Sequence, residues 1–385
     1  MDHSLRICSC TLAVALLSTT LTAQTLTTEF VNAGYSLADL GSITGLPTPY
    51  GGLTIKSDEP NTLYIGGLAN AADGAIYAVP LVRDGLTHQI TGFAGPAVLY
   101  STGPNNDGGL TFTPSGTLLF TQYTPFSLNS MGQILPDNSY VTTQLTALGV
   151  SPSIGSHAFV PSGYPGAGNL IVASYNASIA YRIPFTVDGT GLHTFSAPTN
   201  SVNVLGTATG PEGIAYVPLG SAGFPVPSMV VSAYGMNKVV VFDVGADGLP
   251  ITTTVRDMVI DLVGAEGAWI DPLTGDFLFS TFGGSNRVIR VSGFEVPNAV
   301  PSSVPMDRGL DVFPNPSTGV FQFAVGAPGS RMHLEVFDPI GAVVSSREFI
   351  SNGSYTLDLT GQAPGIYAVQ IRCNGNDRTQ RIVLE

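Results

Sequence analysis

Five residues hold comparable places in a repeating pattern and carry the side chains best suited to chemistry: Tyr50, Asp107, His157, Glu212 and Glu266. Each opens or borders a short apolar run. The runs are Gly51-Gly-Leu-Thr-Ile55, Gly108-Gly-Leu-Thr-Phe112, Ser156-His-Ala-Phe-Val160, Glu212-Gly-Ile-Ala-Tyr216 and Glu266-Gly-Ala-Trp-Ile270. If such runs converge on one axis, their opening residues share one space. A ring of carboxylates then offers hard oxygen ligands to Ca²⁺ or another divalent cation. With an imidazole added, the set suits a transition metal that activates water, so Glu212, Glu266, Asp107 and His157 are the expected metal ligands. Opposed acids can also serve glycoside hydrolysis, one protonating the leaving group and another activating water. Against these stands a structural reading, in which an acid before Gly accepts backbone N–H bonds and fixes a turn.

Other signatures are missing. The sequence has no G-x-S-x-G elbow and no H-E-x-x-H. Cys8 and Cys10 fall in the leader described below, which leaves Cys373 alone and excludes thiol metal sites and internal disulfides. Asp243-Val-Gly-Ala-Asp247-Gly lacks EF-hand spacing. His88 and His193 follow turns and read as surface residues, while Trp269 lies in an apolar run and reads as core. The loops 161–168 and 218–227 read either as a binding surface or as rigid Pro-bounded caps.

The elements that would position these residues repeat five times. After the first run comes a second, exemplified by Asn169-Leu-Ile-Val-Ala-Ser-Tyr175, Ser228-Met-Val-Val-Ser-Ala-Tyr234 and Asp276-Phe-Leu-Phe-Ser-Thr-Phe282. A third follows, such as Lys238-Val-Val-Val-Phe242, then a turn at Asp84-Gly85, Asp137-Asn138, Asp188-Gly189 or Asp247-Gly248. A weaker fourth run leads onward. Four strands in units of about 54 residues, without helical period, predict a β-propeller. The segment Phe30–Leu40 precedes the first unit and supplies the fourth strand that the fifth unit lacks, which gives five blades. Six blades, with one unit hidden in a loop, is the alternative. The repeat over 28–295 is loosely similar to the six-bladed strictosidine-synthase-like and gluconolactonase-like propellers.

The ends are of a different kind. Residues 1–23 pair Arg6 with the apolar run Leu12–Leu21 and a small residue at Ala23, which reads as a secretory signal peptide. The run is about half the ~20 residues a membrane span needs, and no later segment spans. The propeller occupies 24–295, a Pro/Ser-rich linker 296–305, and a C-terminal unit 306–385. That last unit reads as a small Ig-like β-sandwich, from alternating runs such as Val320-Phe-Gln-Phe-Ala-Val325 and Ile366-Tyr-Ala-Val-Gln-Ile371. Residues 310–385 also carry Pro314-Asn315-Pro316 with Gly319, then Asp338-Pro-Ile-Gly341, then Ala363-Pro-Gly365-Ile-Tyr367, and a terminal Gln380-Arg-Ile-Val383. In that order they resemble the type A C-terminal sorting domain of type IX secretion cargo. The resemblance implies Sec export to the periplasm, then passage across the outer membrane of a Bacteroidota-type cell by the type IX machinery. The cargo would be released or held at the outer cell surface.

Composition narrows the cargo's function. The chain has 385 residues, 14 Lys+Arg and 27 Asp+Glu, for a net charge of −13. Residues 24–305 hold 7 of the basic and 18 of the acidic residues, so the imbalance belongs to the propeller. A pI near 4.6 excludes nucleic acid as a partner. The expectation is an exported, non-catalytic binding propeller with a glycan, small-molecule or protein ligand. The alternative is a metal-dependent hydrolase of the lactonase or glycosidase kind.

Overall fold

The computed structural model describes residues 23–124, 128–204, 210–294, 312–324, 331–338, 342–350, 354–373 and 376–385. Residues 1–22, most of the expected signal peptide, and the expected linker 296–305 lie outside them. Alternating and continuous apolar runs fold as expected for strands, and the only α-helix among the described residues is Thr28–Asn32. The chain divides into two compact units, Met1–Pro297 and Asn298–Glu385.

The first unit is a five-bladed β-propeller of antiparallel sheets. From inner to outer strand, blade 1 runs Tyr50–Ile55, Thr62–Gly67, Ala75–Arg83 and Val98–Thr102, with Ile90–Phe93 also pairing on Ala75–Arg83. Blade 2 is Asn106–Phe112, Leu118–Thr124, Leu128–Ile134 and Tyr140–Gln144. Blade 3 is Ile154–Phe159, Leu170–Ser174, Ile179–Ile183 and Asn200–Asn203. Blade 4 is Pro211–Tyr216, Ser228–Ala233, Lys238–Val244 and Pro250–Ile260, with Thr25–Leu26 along its outer edge. Blade 5 takes Ala265–Ile270, Phe277–Thr281 and Val288–Ser292 from its own repeat. Its fourth strand is the N-terminal Ser36–Gly41, paired from Ser36 opposite Ser292.

The N-terminal segment expected as one strand is therefore divided. Thr28–Asn32 is helical and seats Phe30, fully buried, against Tyr35, Phe224 and the blade 4–blade 5 core. Only its later part closes the ring.

Five apolar clusters fill five blade interfaces, which is the packing expression of closure. Tyr64 and Ile76 meet Leu110 and Phe120 between blades 1 and 2. Leu119 and Met131 meet Ile154 and Val172 between blades 2 and 3. Ile171 and Ala173 meet Ile214 and Val231 next, and Val230 and Val239 meet Phe277 and Phe279 after that. Leu278 and Val288 then pack on Leu53 and Ile65, joining blade 5 to blade 1, with Trp269 against the same cluster. The hairpin aspartates cap their own turns. Asp84 accepts from the N–H groups of Leu86 (2.9 Å) and Thr87 (2.7 Å), and Asp188 from those of Thr190 (2.9 Å) and Leu192 (3.1 Å).

One expectation about an exposed part is corrected. His193 is buried, its ring stacked on Phe185 at 5.6 Å, with its backbone N–H donated to Gln133 Oε1 at 2.9 Å. The hairpin that carries it folds back onto blade 2 instead of pointing to solvent. The loops 161–168 and 218–227 are pinned from inside by buried Tyr164 and Phe224.

The second unit is a β-sandwich. A three-stranded sheet (Val312–Phe313, Val320–Ala324, Ser354–Asp358) faces a four-stranded one (Val343–Ile350, Arg331–Phe337, Gly365–Cys373, Asn376–Leu384). Phe321, Phe323, Leu334, Val336, Val369 and Ile382 fill the space between them.

Closure of the propeller is also ionic. Arg83 of blade 1 forks onto Asp271, just past the inner strand of blade 5, at 2.6 and 2.9 Å, with both side chains buried. Removing one partner of such a pair leaves an uncompensated buried charge. Arg83→Met is expected to cost about 3–5 kcal/mol in urea unfolding. Arg256→Ala, which breaks the half-exposed pair with Glu29, should cost no more than about 1 kcal/mol.

Candidate functional site

All five inner strands share a local device at their start. The strand register slips between Tyr50 and Leu53, Asn106 and Leu110, Ile154 and Ser156, Pro211 and Gly213, and Ala265 and Ala268. Ahead of the slip, Asn105, Ser153, Gly210 and Gly264 take positive φ. Such bulges re-aim a side chain out of the normal alternation. The bulges hold Gly51, Asp107 with Gly108, Gly155, Glu212 and Glu266. Three blades therefore bring an acid to the axis, and the other two bring glycine alone.

The glycines make the room. A Cβ at Gly155 would collide with the Glu212 carboxylate. A Cβ at Gly52 would lie 2.6 Å from the Gly108 carbonyl, because the inner strands approach backbone to backbone. Into that space Asp107, Glu212 and Glu266 each bring a carboxylate oxygen, all within 4.8 Å of one another. Their residues are 2%, 6% and 1% exposed. Asp107 Oδ2, Glu212 Oε2 and Glu266 Oε1 are buried and have no hydrogen-bond partner. The other side of Asp107 is held by the Gly108 N–H and the Asn70 side chain.

Burial sets the electrostatics. Loss of water pushes the Asp107 carboxyl up to about 7, against hydrogen bonds that lower it. Glu212 and Glu266 are raised well above the usual range, first by burial and then by the neighbouring carboxylates. Side-chain contact between Asp107 and Glu266 lowers the first and raises the second.

Two expected members of the ring are elsewhere. His157 does not join the acids. It stands one residue past the post-bulge position, where the other blades place Leu53, Leu110, Ile214 and Ala268, and that position faces the preceding blade. Its ring packs by Gly109 and Thr121 of blade 2, and burial drives its pKa down to about 3, so it is neutral. A one-residue offset in a strand changes the face, which is why comparing opening residues misplaced it. Tyr50 lies before the bulge. Its ring is buried in the blade 5–blade 1 core and its hydroxyl accepts from Ile43 N–H at 2.9 Å.

The residues not anticipated are aromatic. The N–H groups of Tyr123, Tyr175, Tyr234 and Phe282 donate to the carbonyls of Asn105, Ser153, Gly210 and Gly264, at 2.8, 2.6, 3.0 and 2.8 Å. Each aromatic residue thus sits beside the bulge of its blade. Tyr175 and Tyr234 lie edge to face with centroids 5.9 Å apart, and Tyr234 and Phe282 likewise at 6.2 Å. The recurrence of an aromatic residue at the end of the second run was the available signal.

In the C-terminal unit, the Pro314-Asn315-Pro316 turn is tied to the last strand. Asn315 Nδ2 donates to the Arg381 carbonyl at 3.1 Å, and Val383 N–H donates to Asn315 Oδ1 at 2.9 Å. Gly319 presses against Thr360, where a Cβ would collide. Gly365 opens the strand that carries Tyr367, whose buried hydroxyl donates to the Ala363 carbonyl at 2.6 Å. Gly341 lies outside the described residues. The family model described as "Secretion system C-terminal sorting domain" matches residues 311–385. Residues 311–385 are a type IX sorting domain. The sorting domain implies contact with the type IX secretion machinery and indicates a secreted or outer-surface protein. No helix among the described residues is long and apolar enough to cross a membrane.

No curated protein matches the sequence. Among solved structures, the chain is similar to the extracellular domain of a protein assigned as a hybrid two-component system from B. thetaiotaomicron. That match has 11% identity and a TM-score of 0.29, covers 87% of this chain, and spans only 44% of the other. A protein assigned as a 6-phosphogluconolactonase from Bacteroides uniformis matches at 12% identity and TM-score 0.34, over 83% and 87% of the two chains. A calcium-binding regucalcin from Agrobacterium tumefaciens matches at 14% and 0.36, over 68% and 95%. These likenesses concern the fold alone.

The raised carboxyls fix a pH dependence. An acid whose folded pKa lies above its unfolded value keeps its proton on folding, and its burial becomes unfavourable as pH rises between the two values. Metal-stripped protein should therefore lose thermal stability from about pH 5 to pH 8. In Asp107→Asn/Glu212→Gln/Glu266→Gln that slope should flatten, as read by melting temperature across the series.

Proposed function

We propose that the chain is an exported binding propeller whose axis is held by a divalent cation, Ca²⁺ first among them, through Asp107, Glu212 and Glu266. The observation that carries this is the convergence of three buried carboxylates, each with an oxygen that has no hydrogen-bond partner. Three negative charges buried together need either protons or a cation. Cation–oxygen distances of about 2.3–2.6 Å for Ca²⁺ leave oxygens around one ion within ~5 Å of each other, which the trio satisfies. With no nitrogen or sulfur in the group, an oxygen-seeking ion fits better than zinc or copper. When bound, the ion offsets two of the three negative charges and ties blades 2, 4 and 5 together at the axis. Exposures of 1–6% support this binding reading over the hydrolase, which needs acids that a substrate can reach. The sorting domain supports delivery to the surface of a Bacteroidota-type cell, with residues 1–23 as the signal for the first membrane.

Metal analysis of the purified full-length chain should find a stoichiometric divalent ion. Adding Ca²⁺ to chelated protein at about 100 times its Kd should raise the melting temperature by roughly 5–10 °C. Glu212→Gln and Glu266→Gln should abolish that rise. Absence of both metal and shift overturns the cation. Separately, deletion of 306–385 should leave the propeller inside the cell envelope. Truncated protein on the surface, read by protease accessibility of intact cells, would sink the delivery reading.

A further inference from the structure

We propose that the channel mouth beside the carboxylates binds an organic ammonium cation, caged by Tyr175, Tyr234 and Phe282. The inference deepens the binding reading above by naming a ligand class, and it rests on that reading for a binding rather than catalytic role. Four blades in succession place an aromatic residue at one repeat position, and in the last three, where it lies two residues in register from the axial Gly155, Glu212 and Glu266, neighbouring rings meet. All three residues are half-buried. Successive rings are inclined at 68° and 71°. Rings set nearly at right angles form the walls of a box, and aromatic boxes are how quaternary ammonium groups are recognised. A sugar favours a flat exposed platform, which this arrangement does not present.

Charge points the same way. The carboxylate trio lies behind the rings, and its field reaches both tyrosine hydroxyls. Even with one divalent ion bound, three ionised carboxylates leave one negative charge. Lys238, which follows Tyr234, pairs with Asp257 at 2.6 Å, and Arg287, which follows Phe282, pairs with Asp39 at 2.5 Å. A guest too large to enter between the inner strands can therefore rest on the rings with its positive charge toward the acids.

The test is calorimetric titration of the full-length chain, in Ca²⁺, with tetramethylammonium and choline, and with 3,3-dimethylbutan-1-ol as the uncharged isostere of choline. The ammonium compounds should bind at least tenfold more tightly than the isostere. Tyr234→Leu and Phe282→Leu should each weaken them about tenfold, while Tyr234→Phe, which keeps the ring, should not. Equal affinity for the isostere overturns the proposal. So does binding of saccharides from a glycan panel in place of the ammonium compounds, and so does no binding at all. Glu212→Gln separates the two readings. Loss of the Ca²⁺-induced stabilisation without any change in the ring variants' behaviour concerns the metal alone, whereas a Ca²⁺ response that survives in Tyr234→Leu with ammonium binding lost concerns the cage alone.

Discussion

Five strands brought to one axis must approach closer than side chains allow. That constraint governs the rest of the propeller. It is met by glycine at the crossing points, where the Gly52 and Gly108 backbones touch and Gly213 lies against Glu266 and Ala268. Glycine costs backbone entropy in a strand, and the interface cores between blades offset that cost. The acids at the axis depend on the same economy of space. Glu212 fits because the next bulge round the ring, at Gly155, has no side chain.

The charge distribution follows from this packing. In a chain where only 11% of residues are charged, three carboxylates are spent where water does not reach. Such placement opposes folding unless protons or a cation answer it. The other buried charges are answered directly, as Asp271 is by Arg83 and Asp276 by Ser292 and Arg290. The contrast between these satisfied acids and the orphaned oxygens of the trio marks the axis as a place prepared for something. The sorting domain meets a different need. Its Pro-Asn-Pro turn is stitched to the final strand through Asn315, so its recognisable motifs are also the residues that hold its sandwich together.

Much of this was readable in the sequence, because the period of the apolar runs and the Asp-Gly and Asp-Asn turns are local signals. The blade count and the N-terminal closure followed from them, as did the convergence of Asp107, Glu212 and Glu266. Register was not readable to one residue. The bulge inserts an unpaired residue whose presence depends on the neighbouring strand, so Tyr50 and His157 were assigned to the axis when they belong to interface cores. Burial of His193 depends on a hairpin returning to Gln133 of another blade, a contact with no local trace. The aromatic residues at the second-strand ends were visible as letters, but their common position appears only once the backbone bonds to Ser153, Gly210 and Gly264 are drawn.

Ring closure through Ser36–Gly41 has a consequence in time. The last blade pairs residues near the start of the chain with residues that emerge from the ribosome near the end of the propeller. Contacts of such sequence separation form slowly, and until they form, both edges of the ring stay unpaired. A chain emerging from the ribosome therefore cannot finish its propeller until Ser292 is available to pair with Ser36.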